Sequence, residues 1–195
     1  MSKPGSPTGA AHWSRSERML DVHILTLPDT PVAWVQQRRA AIAAAVAQAG
    51  YRVVIHELPG IIGHIGRGRA RGYRLGTQPY VTYIDDDDVV LPGAFTALGP
   101  ALHAGHEAIA PGETTEQSGV RRRCPGPHHL ICYQRSTACG FDHAAWRVCG
   151  DLAFAHTTRM HPVNDHSYVH RLYESPGRRL RRTHYRELIQ AWGHG

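Results

Sequence analysis

The chain has 195 residues and a mass of 21.6 kDa, with 42% apolar and 19% charged residues; this suits one globular domain and excludes extended disorder, a collagen repeat and a disulfide-stapled miniprotein. No stretch approaches the roughly 18 apolar residues that would span a bilayer, and the N-terminus lacks the apolar centre of a signal peptide, so the expected location is the cytoplasm. Lys+Arg 22 against Asp+Glu 16 leaves a net charge of +6, nearly all of the cations being arginine, a balance that admits a polyanionic partner without requiring one.

Residues 1–20 are rich in Ser, Pro and Gly, show no apolar period and read as a flexible tail, leaving 21–195 as one folded domain. Residues 22–27 (VHILTL) read as a strand that stops at Pro28 and Asp29. Thr30 is placed to cap a helix with Pro31 in its first turn, running to Gly50 with Val35, Ile42 and Val46 on one face. A second strand is expected over 51–56, and the glycine-rich tract 60–68 leads to a short helix near 70–77. Residues 80–84 (YVTYI) form the short apolar run of a fully buried central strand, and they feed directly into Asp85, Asp86, Asp87 and Asp88. Pro92 and Gly93 then open a helix to about His103.

Alternating strands and helices predict an α/β domain with a mostly parallel central sheet flanked by helices. Ligands in such sheets bind beyond the carboxyl ends of the strands, where the four aspartates emerge. The second half is less regular. Strands are expected at 107–110 and 129–134, helices at 142–149 and 164–174, an extended segment at 177–183 and a last helix to Trp192.

Consecutive carboxylates repel one another unless solvated or neutralised by a cation. In extended geometry residues i and i+2 share a side, so Asp85 and Asp87 are expected to face one divalent ion while Asp86 and Asp88 point elsewhere, for instance to cap the helix near Pro92. Hard oxygen ligands of this kind select Mg2+ or Mn2+ and bridge it to substrate phosphates. Cys124, Cys132, Cys139 and Cys149 read as free thiols of a reducing compartment. The group Cys124, His128, His129, Cys132 and Cys139 has no common zinc spacing and reads as ordinary buried thiols.

The stretch from Arg69-Ala-Arg-Gly72 through Tyr80 to the aspartates and Pro92-Gly93 resembles the nucleotide-sugar-binding segment of family 2 glycosyltransferases with the GT-A fold, which typically show R-N-x-G, a helix, an apolar strand and D-x-D-D-x-x-x-P-G. Phe141 to Gly150 resembles the segment before that family's second glycine, and Asn164-Asp165 through Arg171-Leu172 its E-D-x-x-x-x-x-R-L helix start, with Asn164 in place of the glutamate. The resemblance implies a GT-A-like, Rossmann-like sheet and an inverting chemistry of direct displacement at the anomeric carbon. It implies that Asp85 helps hold the nucleotide and that Asp87 ligates the cation. Arg69 falls on a donor-contacting arginine and Asp165 on the base that deprotonates the acceptor hydroxyl. His184 lies where some relatives supply a histidine to the same metal, and His56 and Glu57 stand at the end of the second strand where the family places acidic contacts to the nucleotide base. Arg69, Asp85, Asp86 and Glu57 are thus the donor-binding candidates, Asp85, Asp87 and His184 the metal candidates.

Arg121, Arg122 and Arg123 form one basic run, and Arg178, Arg179, Arg181 and Arg182 another. If both flank the acceptor side, their charge suits a phosphate backbone, and the acceptor would be a hydroxymethylated base in DNA. The alternatives are transfer to a glycan or small molecule, a metal-dependent nucleotidyltransferase, and a basic nucleic-acid-binding module without catalysis.

Overall fold

A computed structural model describes residues 20–28, 30–124, 129–146, 154–155 and 157–172. The first half is built on the apolar runs that the sequence makes conspicuous. β1 (Leu20–Thr26) lies between β2 (Val53–Pro59) and β3 (Tyr80–Asp85), all parallel, with Val22 paired to Ile55 on one side and Thr82 on the other. Leu20, Val22, Ile24, Val81 and Ile84 are fully buried because helices cover both faces, which is why these strands read as nearly unbroken hydrophobic segments.

On one face α1 (Val32–Ala47) and α3 (Ala94–Ala104) contribute Ile42, Ala45, Phe95 and Leu98 to a core with Leu20, Val22 and Ile24. On the other, α2 (Ile65–Tyr73) and α4 (Arg135–Gly140) bring Tyr73 and Ala138 against Val81, Tyr83, Tyr133 and Phe154. The glycine-rich tract therefore runs into α2, which begins at Ile65 and is packed at very close range. A Cβ at Gly66 would lie 2.1 Å from the carbonyl oxygens of His143 and Trp146, and one at Gly72 would lie 2.3 Å from the His23 ring. Glycine is what allows α2 to approach β1 and the short 3-10 helix His143–Ala145 so closely.

The remaining strands are β4 (Val89–Val90), β5 (Ala108–Gln117), β6 (Val120–Cys124), β7 (Cys132–Gln134) and β8 (Met160–Leu172). The sheet order is β2-β1-β3-β7-β5-β8-β4, with β6 paired to β5. β7 is antiparallel to both β3 and β5, and β8 is parallel to β5. Two reversals restore direction, so β1, β2, β3, β5 and β8 all run the same way and their carboxyl ends share one edge. The expected parallel sheet holds for β2-β1-β3, whereas the second half is mixed through antiparallel β7, β6 and β4.

Residues 164–172, expected as the start of a helix, belong to β8, where Tyr168 and Val169 are buried and the segment pairs with both β5 and β4. Pairing on two sides overrides a locally helical spacing. Thr30 does not cap α1: Pro31 occupies that position and the Thr30 hydroxyl donates to Asp86. Within 142–149 the described helical structure is the 3-10 helix, and β5 runs well past its expected end at Ala110. Leu20 belongs to β1, while the rest of the expected tail, the segment 177–183 and the last helix lie outside the described residues.

Candidate functional site

Asp85 is the last residue of β3, and its side chain lies on the same side of the strand as Tyr83. The Arg69 guanidinium, delivered by α2, pairs with Asp85 Oδ1 and sits 3.4 Å from the centre of the Tyr83 ring. On its other oxygen Asp85 meets His129 Nε2 at 3.5 Å. Burial disfavours the Asp85 charge, but Arg69 and His129 outweigh it and hold the carboxyl well below the usual range.

After Asp85 the chain turns, with the Asp88 N–H donating to the Asp85 carbonyl at 3.3 Å. The extended alternation that would aim Asp85 and Asp87 at one point therefore ends at Asp85, and each aspartate finds its own surroundings. Asp86 is buried and ties the β1–α1 connection: its Oδ2 accepts from the Leu27 N–H at 2.7 Å and from the Thr30 hydroxyl. Burial pushes its pKa up. It does not cap α3, which opens at Gly93 with no side-chain cap. Asp87 is partly exposed. Asp88 is 1% exposed and accepts from the Tyr168 hydroxyl at 2.7 Å and the Arg171 N–H at 2.8 Å. Burial, followed by the charge of Asp87, pushes it up to about 7.

β5 and β8 complete the cluster. Glu113, 2% exposed, accepts from His129 Nδ1 at 2.7 Å and lies 3.7 Å from His170 Nδ1. Burial opposes its charge, and the two histidines win, holding it at about 2. His129 is stacked on Tyr168 and meets His170 edge to face with centroids 4.3 Å apart. Its burial opposes protonation, but Asp85 and Glu113 raise its pKa well above the ordinary value. Asp88, His129 and His170 each place one donor atom within 4.8 Å of the others, a spacing that fits a single cation, and they are the one such His/Cys/Asp/Glu group among the described residues.

The other sequence candidates fall as follows. Glu57, at the carboxyl end of β2, is held by Arg38 at 3.3 Å and Arg39 at 2.9 Å, the Arg39 hydrogen bond leading its lowered pKa. Asp165 lies in an irregular stretch of β8, where pairing passes from Pro111–Val163 to Glu113–Tyr168, and accepts from the Ser167 N–H at 3.2 Å and hydroxyl at 2.7 Å. His184, His128 and Cys149 lie outside the described residues. Cys124, Cys132 and Cys139 are free thiols, and Cys132 is buried with its pKa pushed up to about 12.

Sequence reasoning missed Glu113, Tyr168 and His170 and passed over His129 within the cysteine group. The available signal was the i, i+2 pair Tyr168 and His170, which share a strand side only if the segment is extended.

The basic run Arg121–Arg123 forms β6, exposed and hairpinned to β5 through Ser118 and Gly119, both at positive φ (49° and 77°). Arg121 pairs with Glu116. Arg122 is opposite Thr115, which is itself opposite His170, so Arg122 and His170 project from one side of the hairpin.

No protein-family model and no curated protein matches the sequence. Solved structures do match in fold. The crystal structure of S. aureus TarS residues 1–349 aligns with a TM-score of 0.60 at 9% identity over 78% of this chain. The same TarS fragment in complex with UDP-GlcNAc aligns at 0.62 and 9% over 82%, and in complex with UDP at 0.57 and 10% over 80%. In each case the chain covers 60% of the length of that fragment, and of the longer TarS chain 37%. The architecture is that of a glycosyltransferase-like α/β fold, and no helix among the described residues is long and apolar enough to cross a membrane.

Proposed function

We propose that the chain transfers a sugar from a nucleotide-sugar donor to an acceptor hydroxyl with the help of a divalent cation, Mn2+ or Mg2+. The observation that carries this reading is the buried carboxylate and histidine cluster at the carboxyl edge of β3, β5 and β8, in a fold shared with TarS, whose crystal complexes hold UDP-GlcNAc and UDP. A bound cation there would offset charge developing on the departing nucleoside diphosphate.

The chain's own residues supply the rest. Arg69 keeps Asp85 ionised and fixed at the strand end. Glu57 and Asp86, at the neighbouring strand ends, border the donor side, Glu57 through its arginine pairs and Asp86 through the β1–α1 turn. Asp165 is the carboxylate that the family resemblance assigns to take the acceptor proton; it stands just before Tyr168 and His170 on β8. With one base and one assisted leaving group, displacement would invert the anomeric carbon.

The exposed arginines of β6 stand beside the cluster and support an anionic acceptor, for which a hydroxymethylated base in DNA is the proposal. The experiment is a panel of nucleotide sugars with Mn2+ and candidate acceptors, read for products. Release of a nucleoside diphosphate with glycosylated acceptor supports transfer; release of pyrophosphate would replace it with a nucleotidyltransferase. Absence of any donor-dependent turnover or stabilisation across the panel would overturn the enzyme reading.

A further inference from the structure

Asp88 is buried and has no ion pair of its own among the described residues, being met only by the Tyr168 hydroxyl and the Arg171 N–H. Asp85, by contrast, is already matched by Arg69. Glu113 is a second buried carboxylate in the same cluster, and no step of sugar transfer calls on it. It accepts the His129 Nδ1 proton at 2.7 Å and has His170 Nδ1 3.7 Å from its other oxygen. A carboxylate that takes the N–H of one ring nitrogen fixes the ring's orientation, the arrangement by which outer carboxylates orient metal-binding imidazoles; the other nitrogen of His129, Nε2, lies 3.5 Å from Asp85 Oδ2 and would exchange its proton for the cation.

We propose that Asp88, His129 and His170 form a cation site, with Glu113 as the positioning residue for its histidines, and that its imidazole donors select a transition ion such as Mn2+ or Zn2+ over Mg2+. Oxygen-only sites suit Mg2+, whereas imidazole favours the borderline metals. A cation at this point would favour the charged form of Asp88, which burial and the neighbouring Asp87 otherwise push toward protonation. The donor set differs from the sequence expectation of Asp85, Asp87 and His184 because the turn after Asp85 sends Asp88 inward and Arg69 occupies Asp85. The proposal deepens the sugar-transfer reading by naming what holds the cation, but its test uses metal ions alone, so the two can fail separately.

The full chain, stripped with EDTA, is titrated calorimetrically with MnCl2, ZnCl2 and MgCl2 in the absence of nucleotide. Mn2+ and Zn2+ are expected to bind at least about tenfold more tightly than Mg2+, and His129→Ala or His170→Ala to weaken them by about tenfold or more. Glu113→Gln is expected to weaken metal binding by the folded protein by about 10- to 100-fold; the metal-free melting temperature is measured alongside, because Glu113 also holds His129 at 2.7 Å. A purely structural Glu113 would lower the melting temperature and leave the affinity of the folded protein unchanged. His170 is partly exposed, so its alanine variant carries the test if the His129 variant does not fold. Equal affinity for Mg2+, or undiminished Mn2+ binding in His170→Ala, overturns the site. Loss of metal binding with sugar transfer intact would leave the function standing and remove only the metal's role, and metal binding without any transfer would do the reverse.

Discussion

The Arg69 guanidinium lies 3.4 Å from the centre of the Tyr83 ring and pairs with Asp85 two residues further along the same strand. Strand alternation puts Tyr83 and Asp85 on one side, so a single arginine from α2 meets the ring and the carboxylate together, while being only 3% exposed itself.

Removing that cation leaves Asp85 to His129 alone, and Arg69→Ala is expected to lower stability by about 1–3 kcal/mol in urea unfolding. Arg69→Lys should recover part of the loss, because an ammonium supplies the charge but not the planar stacking fork. Because the folded pKa of Asp85 is depressed, its contribution is present above the ordinary carboxylate range and lost as pH falls through the folded value. The acid limb of the stability profile should accordingly move to higher pH in Arg69→Ala. An alanine variant as stable as the wild type across that range would show that the pair does not hold Asp85.

Asp86 makes the opposite prediction. Its folded pKa is raised by burial, so the folded protein binds this proton more tightly than the unfolded chain does, and stability falls as pH rises from the ordinary carboxylate value through the raised one. Both bonds that it accepts go to one oxygen, from Leu27 N–H and the Thr30 hydroxyl. An amide oxygen can accept both, and Asp86→Asn should match or exceed wild-type stability at neutral pH. Asp86→Ala, which leaves the Leu27 N–H unsatisfied, should lose about 1–3 kcal/mol. Equal destabilisation in the two variants would mean that the charge itself is required.

The position of the aspartates could be read from sequence because the run 80–84 must be buried on both faces, and a buried strand has to release its acidic end at the sheet edge. Glu113 could not. Pro111 and Gly112 look like a turn, yet β5 continues through them, because the irregular stretch of β8 packs there and brings the His166 ring to 2.5 Å from where a Gly112 Cβ would be. His170 was hidden for a related reason: 164–172 is extended only because β5 and β4 pair with it from two sides, and neither partner is local in sequence. His129 precedes Leu130, a non-glycine residue at φ 54°, a local conformation set by its surroundings. The sequence pattern carries the parallel half of the sheet, while the residues that gather around Asp88 depend on long-range pairing.

If Asp165 takes the acceptor proton, Asp165→Ala should lower the transfer rate by about 10²- to 10⁴-fold and leave binding of a nucleoside diphosphate unchanged. Its carboxylate also accepts two bonds from Ser167, so the melting temperature is measured alongside. Ser167→Ala is the control: it removes one of those bonds and should keep transfer within a few fold of wild type. Full activity in Asp165→Ala would take the base elsewhere.

The hairpin offers a test in which charge and direction separate. Arg122 and Arg123 are adjacent, equally cationic and both exposed, but neighbouring residues on a strand project to opposite sides. Arg122 shares its side with Thr115 and His170, whereas Arg123 shares its side with Thr114 and Val169. If a phosphate-bearing acceptor crosses the cluster, only Arg122 can reach its backbone from the correct side. Arg122→Ala should then flatten the slope of log affinity against log salt by about 0.9, the release of one counterion from duplex DNA, while Arg123→Ala leaves the slope unchanged. Were β6 merely a diffuse source of positive charge, the two variants would behave alike, and a salt-independent affinity for hydroxymethylated DNA would remove the nucleic-acid acceptor altogether.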